Sequence, residues 1–258
     1  MTGLAYECHP LGDSAIVIRL GSDISVTNLH RVRQVVNYLE NNWQEGFIEL
    51  VAAYTTITIY YDAFRMYNYA SDDVLKSGRF NWKATWLPYD HVRQYIEQLL
   101  DDYENDGLTG QLGAIVEIPV CYEAPFGPDL EEVASYHGVS QAEIVLRHAS
   151  GLYPVYMIGF APGFPYLGGL PEGLSTPRKS VPRTHIPAGS VAIGGAQTGI
   201  YPFETPGGWQ LIGRTPLRLF RPDADPPSLL KVGDQVRFVP ITSERYDVLD
   251  EGNRQYGL

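Results

Sequence analysis

Residues Gly194 to Pro216 read GGAQTGIYPFETPGGWQLIGRTP, with six glycines, three prolines, one Tyr, one Phe and one Trp. Glu204 and Arg214 are the only charged side chains in the stretch. Proline presets φ and glycine permits close backbone approach, so a segment this rich in both has a fixed and unusual path. Two readings stand at this point: a hairpin region that needs many turns, or a surface shaped to hold a ligand or partner.

The surroundings resemble it. GFAPGFPYLGGLP, residues 159–171, sets Phe160, Phe164 and Tyr166 between backbone-fixing residues. TPRKSVPRTHIPAGSVAIGG, residues 176–195, adds Arg178, Lys179 and Arg183. Residues 160–221 hold six Lys/Arg against Glu172 and Glu204, whereas the whole chain of 258 residues carries a net charge of −11. A basic, turn-rich window in an acidic protein can focus an anionic ligand or meet an acidic partner; a solvated loop face is the plain alternative. Rigid aromatic rings, the amide of Gln197, the hydroxyls of Thr198 and Tyr201, the Trp209 indole and the Arg178, Arg183 and Arg214 forks form the candidate substrate or partner site.

From Tyr153 onward, PVYMIGF, SVAIGG, GWQLIGRT, LRLF and QVRFVP read as short strands between Gly/Pro turns, the pattern of a β-barrel or sandwich. Upstream, IVEIPVCY reads as a strand followed by two helices. DLEEVASYHG closes on Gly138, and Ser140 with Glu143 has capping-box spacing ahead of Ile144, Val145 and His148. The first hundred residues alternate strand and helix. Ser14–Leu20 is a strand, and Leu29, Val32, Val35, Val36, Leu39 and Trp43 recur at helical spacing. Residues 48–62 (IELVAAYTTITIYYD) are strand material, and after Pro88 a helical stripe runs through Val92, Tyr95, Ile96, Leu99, Leu100 and Tyr103. The expected architecture is an α+β sandwich over residues 1–108 followed by a mainly-β barrel over 109–258. An aromatic-rich insert (63–87) either packs on the first domain, the preferred reading, or presents Tyr and Trp to a partner, and a polar linker spans 104–113.

Composition narrows function by exclusion. The acidic balance argues against binding a phosphate backbone. No run approaches a membrane helix, no secretory leader opens the chain, and Cys8 and Cys121 belong to no metal-spaced cluster; a cytoplasmic protein is expected. There is no G-x-x-x-x-G-K-[ST], H-E-x-x-H, paired C-x-x-C or G-x-S-x-G, and the six histidines are scattered. No metal site is expected and no self-sufficient catalytic set is visible.

GFAPGFPYLGGLP, TPR, VPRTHIPAGSVAIGG, QTGIYPFETPGGWQLIGRTPL and VGDQVRFVP resemble the family of the 5-oxoprolinase B subunits. That family also takes in the KipI kinase inhibitors and the allophanate-hydrolase-subunit-1-like proteins. LGDSAIVIRLG, AYTTITIYYD and VEIPVCYEAPFGPDLEEVASYHG resemble it too, so the likeness covers most of the chain. The resemblance implies an N-terminal α+β domain and a C-terminal cyclophilin-like barrel. It implies one component, inactive alone, of an enzyme that hydrolyses 5-oxo-L-proline to L-glutamate with ATP. Its partners would be the homologous C component and the A component of that 5-oxoprolinase, with ATP used at the level of the complex. There Arg183 and Arg214 would pair with a carboxylate or phosphate, and Gln197, Thr198 and Tyr201 would hydrogen-bond the amide. Phe164, Tyr166 and Trp209 would wall the pocket or the interface. The family also implies two alternatives: an inhibitor docked on a sensor histidine kinase, and a carboxyltransferase-type component in urea or allophanate metabolism. The insert at 63–87 is a departure from the family pattern. Proline isomerase activity does not follow from a barrel alone.

Overall fold

Alternating apolar residues turn the first part of the chain into a sheet. The computed structural model describes residues 4–68, 87–103 and 113–255. The chain divides into two compact units, Met1–Gln111 and Leu112–Leu258. In the first unit, strands β1 (Glu7–Pro10), β2 (Ala15–Arg19), β3 (Phe47–Ala53) and β4 (Thr56–Tyr61) form one antiparallel sheet in the order β1-β2-β4-β3. Ile16 pairs with Ile59 and Ile18 with Ile57, which puts four fully buried isoleucines on one face. Helices α1 (Val26–Asn41) and α2 (Pro88–Asp101) cover them with Val32, Val35, Leu39, Val92, Ile96 and Leu100. Ser25 caps α1 by accepting from the Asn28 N–H, and Asp90 accepts from the Leu87 N–H at the start of α2.

The run at 48–62 is two strands rather than one. The chain reverses at Tyr54, whose φ of +38° is a turn conformation that the unbroken β-propensity of the sequence conceals. Of the aromatic-rich insert, residues 69–86 lie outside the described residues, as do residues 104–112 of the linker.

The second unit is built on a closed seven-strand barrel in the order β10-β7-β6-β13-β5-β12-β9. Its strands are β5 (Ile115–Cys121), β6 (Tyr153–Ile158), β7 (Pro165–Leu167), β9 (Ser190–Gly194), β10 (Gln197–Ile200), β12 (Gln210–Arg214) and β13 (Gln235–Ile241). The pair β5/β13 is parallel, and the other neighbours are antiparallel. A separate ribbon pairs β8 (Arg183–Ile186) with β11 (Thr205–Gly207). Helices α3 (Leu130–His137) and α4 (Gln141–Ser150) lie between β5 and β6 in the chain, and α5 (Ser243–Gln255) follows β13. Gly138 ends α3 with φ +65°, in the left-handed region. At α4 the cap is one-sided. Ser140 Oγ accepts from the Glu143 N–H, while the Glu143 carboxylate accepts from Arg147 Nε at 2.7 Å.

LRLF, residues 217–220, is not a strand. Leu219 is buried, but its backbone serves a loop: Leu217 N–H donates to Thr215 Oγ1 and Leu229 N–H to the Leu219 carbonyl. The alternation there records packing, not pairing. Conversely β7, β10 and β11 are three- and four-residue strands whose Gly and Pro hide them from propensity. Among the described residues no helix is long and apolar enough to cross a membrane. Cys8 and Cys121 are both unpaired.

One polar chain runs through the core. Thr198, fully buried on β10, donates to the Ala192 carbonyl at 3.0 Å. Its oxygen is then free to accept from His148 Nε2 at 2.9 Å, which leaves Nδ1 to accept from the Tyr122 hydroxyl at 2.8 Å. The His148 backbone carbonyl accepts from the Tyr153 hydroxyl, and its ring stacks on Phe238 with centroids 4.4 Å apart. Burial pushes the His148 imidazole down to about 3, so it is neutral and carries its proton on Nε2.

The unfolded chain therefore binds a proton at this residue that the folded chain does not, between pH 6.5 and about 3. Stability is complete above that window and falls on acidification by about 1.4 kcal/mol per pH unit within it. Heteronuclear NMR of the His148 ring should show the Nε2–H tautomer with no titration from pH 7 to pH 4.5. A ring that titrates near 6.5 overturns this assignment.

Candidate functional site

The two faces of β9, β10 and β12 do different jobs. Val191, Ile193, Ile200 and Ile212 belong to the main core. Ala192 and Leu211 face the other way, into a second cluster with Phe164, Ile186, Tyr201 and Trp209. Tyr166 and Ala161 pack at its margin.

Trp209 needs a smooth floor, and glycine supplies it. A Cβ on Gly194 would lie 2.5 Å from Cδ2 and Cε2 of the indole, and one on Gly199 would lie 3.1 Å from its Cζ3. These two glycines sit within strands, so their role is close approach rather than turning. The turn between β9 and β10 falls to Gly195, with φ +65°. On this floor Phe164 meets Tyr201 and Trp209 edge to face and lies tilted against Tyr166. Phe164 lies 5.0 Å from Tyr166, 5.6 Å from Tyr201 and 6.0 Å from Trp209. Phe160 extends the array, 6.0 Å from Phe164, but is 78% exposed and holds φ +68°. An exposed aromatic in the left-handed region is costly to maintain, the kind of strain found where a protein meets something else. Beside it an open cleft of about 410 Å³ runs between residues 158–163 and Phe220 with Ser228.

The arginines separate into different roles. Arg183 on β8 makes a two-pronged pair with the Asp129 carboxylate, at 2.6 and 2.8 Å. Lys179 Nζ reaches the same carboxylate at 3.1 Å and Glu132 at 2.7 Å. The Leu211 N–H adds a fourth bond to Asp129 at 2.7 Å. Burial works to raise the Asp129 carboxyl; the Arg183 fork, the Leu211 N–H and Lys179 outweigh it and hold the group below its ordinary value. Arg214 Nε donates to the Ala188 carbonyl at 2.8 Å and so ties down the turn before β9. Arg178 alone of the three stays exposed, its guanidinium 5.6 Å from the centre of the Trp209 ring. Its charge is felt at Tyr166 and Tyr201, although burial dominates both and raises both phenols. Both therefore stay protonated.

Of the residues singled out by sequence, the structure brings Phe160, Phe164, Tyr166, Tyr201, Trp209 and Arg178 into one array. Gln197 opens β10, half-buried and paired with Gly194 at the edge of that array. Thr198 lies on the opposite face, inside the core. Arg183 and Arg214 carry structural bonds. Asp129 and Glu132 went unnoticed, because in DLEEVASYHG they read as the acidic start of a helix. Their partners stand about fifty residues away, beyond the reach of local pattern. Among the described residues no three His, Cys, Asp or Glu side chains are placed to hold a metal ion.

Residues 6–230 match the family of the carboxyltransferase domain, subdomain C and D. The chain is 45% identical to the B subunit of 5-oxoprolinase from Bacillus subtilis, over 95% of its length and 97% of that protein's. It is 38% identical to the B subunit of 5-oxoprolinase from Haemophilus influenzae, covering 89% of this chain and 95% of that one. Among solved structures, TTHA0988 superposes with a TM-score of 0.69 at 32% identity over 89% of this chain. The chain spans only 40% of the length of TTHA0988.

Two substitutions test the geometry. Asp129→Ala leaves Arg183 and the Leu211 N–H without their acceptor, and an unfolding midpoint in urea should report a loss of about 3 kcal/mol. Gly194→Ala drives a methyl into the indole and should cost roughly 1–3 kcal/mol, with a shifted Trp209 indole N–H resonance. An unchanged midpoint in either case contradicts the arrangement described.

Proposed function

The chain belongs to the family of the 5-oxoprolinase B subunits, and from that premise we propose that it is the B component of an ATP-dependent 5-oxoprolinase. The observation that carries this reading is the 45% identity to the Bacillus subtilis protein, which extends over nearly the full length of both chains. The assembly opens the lactam of 5-oxo-L-proline: the ring C–N bond breaks, the nitrogen becomes the amine of L-glutamate, one water supplies the new carboxylate oxygen, and a second is consumed as ATP becomes ADP and phosphate. An unstrained lactam resists water, so its carbonyl must be activated and the negative charge that develops must be stabilised.

The barrel is read as cyclophilin-like, with its outer aromatic face turned to this task. The chain works with the homologous C component and the A component, and ATP acts at the level of that assembly. Phe164, Tyr166 and Trp209 wall the site, Tyr201 and Gln197 stand at its edge with polar groups, and strained Phe160 faces the partner. Asp129, Lys179 and Arg183 hold the ribbon β8/β11, and with it Ile186, against Tyr201, which makes them positioning residues. Thr198 supports the floor from inside through the Ala192 carbonyl. An incomplete catalytic set in this chain is the expected state of a component whose other half of the site comes from another polypeptide.

Co-expression with the partner components tests the proposal. ATP hydrolysis that depends on 5-oxoproline should appear with this chain present and vanish when it is left out. Equal rates with and without the chain would end the reading.

A further inference from the structure

We propose that Arg178 is the anchor for the carboxylate of a small ligand at the aromatic face. The inference rests on the 5-oxoprolinase reading and deepens it by assigning the acid-binding group. Four of the six cations between residues 160 and 221 lie in the candidate segments, and their surroundings sort them, moving the carboxylate role that the family resemblance gave to Arg183 and Arg214 onto Arg178. Lys179 and Arg183 are neutralised by Asp129 and Glu132. Arg214 spends its Nε on a backbone carbonyl. Among the described residues, no carboxylate lies within ion-pair distance of Arg178.

Its position is nevertheless fixed from both sides. Thr176 exchanges two backbone hydrogen bonds with Gly195, at 3.2 and 2.8 Å. The Pro177 carbonyl accepts from Gln210 Nε2 at 3.1 Å. Lys179 N–H donates to the Gly208 carbonyl at 2.7 Å, and its side chain is held by two carboxylates. Three of the four residues in 176–179 are thus clamped, and the fourth lays its guanidinium across Trp209. A planar cation resting on an indole retains the edge that carries its N–H groups for a bidentate partner. The neighbouring Tyr166 and Tyr201 phenols are protonated, so no anion competes there. A fork of this shape fits a planar carboxylate, and the adjoining rings suit a small ring carried by it.

The test follows the Trp209 indole N–H resonance of the full-length chain, assigned with Trp209→Phe, during titration with defined probes. 5-Oxo-L-proline should shift it saturably, and 5-oxo-L-prolinamide, which lacks the charge, should bind about tenfold or more weakly. Arg178→Gln should lose about tenfold or more in affinity with an otherwise unchanged spectrum, and Arg178→Lys should retain part of it. Equal binding of acid and amide, unchanged affinity in Arg178→Gln, tighter binding of inorganic phosphate, or no shift with any carboxylate each overturns the assignment. Acetate and L-glutamate binding through Arg178 while 5-oxoproline fails would remove 5-oxoproline as the substrate and leave the carboxylate anchor in place.

Discussion

The second unit depends on a single buried carboxylate. Asp129 stands at the start of α3, only 4% exposed as a side chain, and collects four donors from three separate segments. A buried charge is unfavourable unless it is paired and its lone pairs are satisfied. Here that requirement dictates tertiary structure: helix α3, the strand β12, the loop carrying Lys179 and the ribbon strand β8 must converge on one point. The aromatic face is assembled as a consequence, because β8 brings Ile186 over Tyr201, and Lys179 fixes the neighbour that covers Trp209.

Regular periodicity made part of this arrangement readable in advance. Leu29, Val32, Val35 and Leu39 declare a helix, and Ile57, Ile59 and Tyr61 declare a half-buried strand, because burial on one face writes itself into spacing. The short strands β7, β10 and β11 were unreadable for the opposite reason. Their residues answer to a ring packed on them, not to backbone preference. Tyr54 hides a hairpin, and Leu219 imitates a strand while its backbone serves a loop. The aromatic members of the candidate face were legible as a cluster, since rings fixed between Gly and Pro imply a shaped surface. The division of labour among the arginines was not, because it depends on Asp129 and Glu132, far away in the chain.

Net charge shows the same limit. Counting placed a surplus of positive charge in residues 160–221, and the surplus is real in sequence. In the folded chain two of those cations are spent on carboxylates from outside the window. The field that a ligand meets is set by whichever groups remain after internal pairing, so a composition argument identifies a region and leaves the residue open.

The indole on its glycine floor carries a consequence for how such a sequence can change. Any side chain at position 194 collides with the ring, and loss of the ring opens a void above two bare strands. Neither position can drift while the other stays as it is. A neutral path away from this arrangement must pass through a loosened intermediate, or change both sites together. Positions 194 and 209 therefore behave as one inherited character, written in two places along the chain.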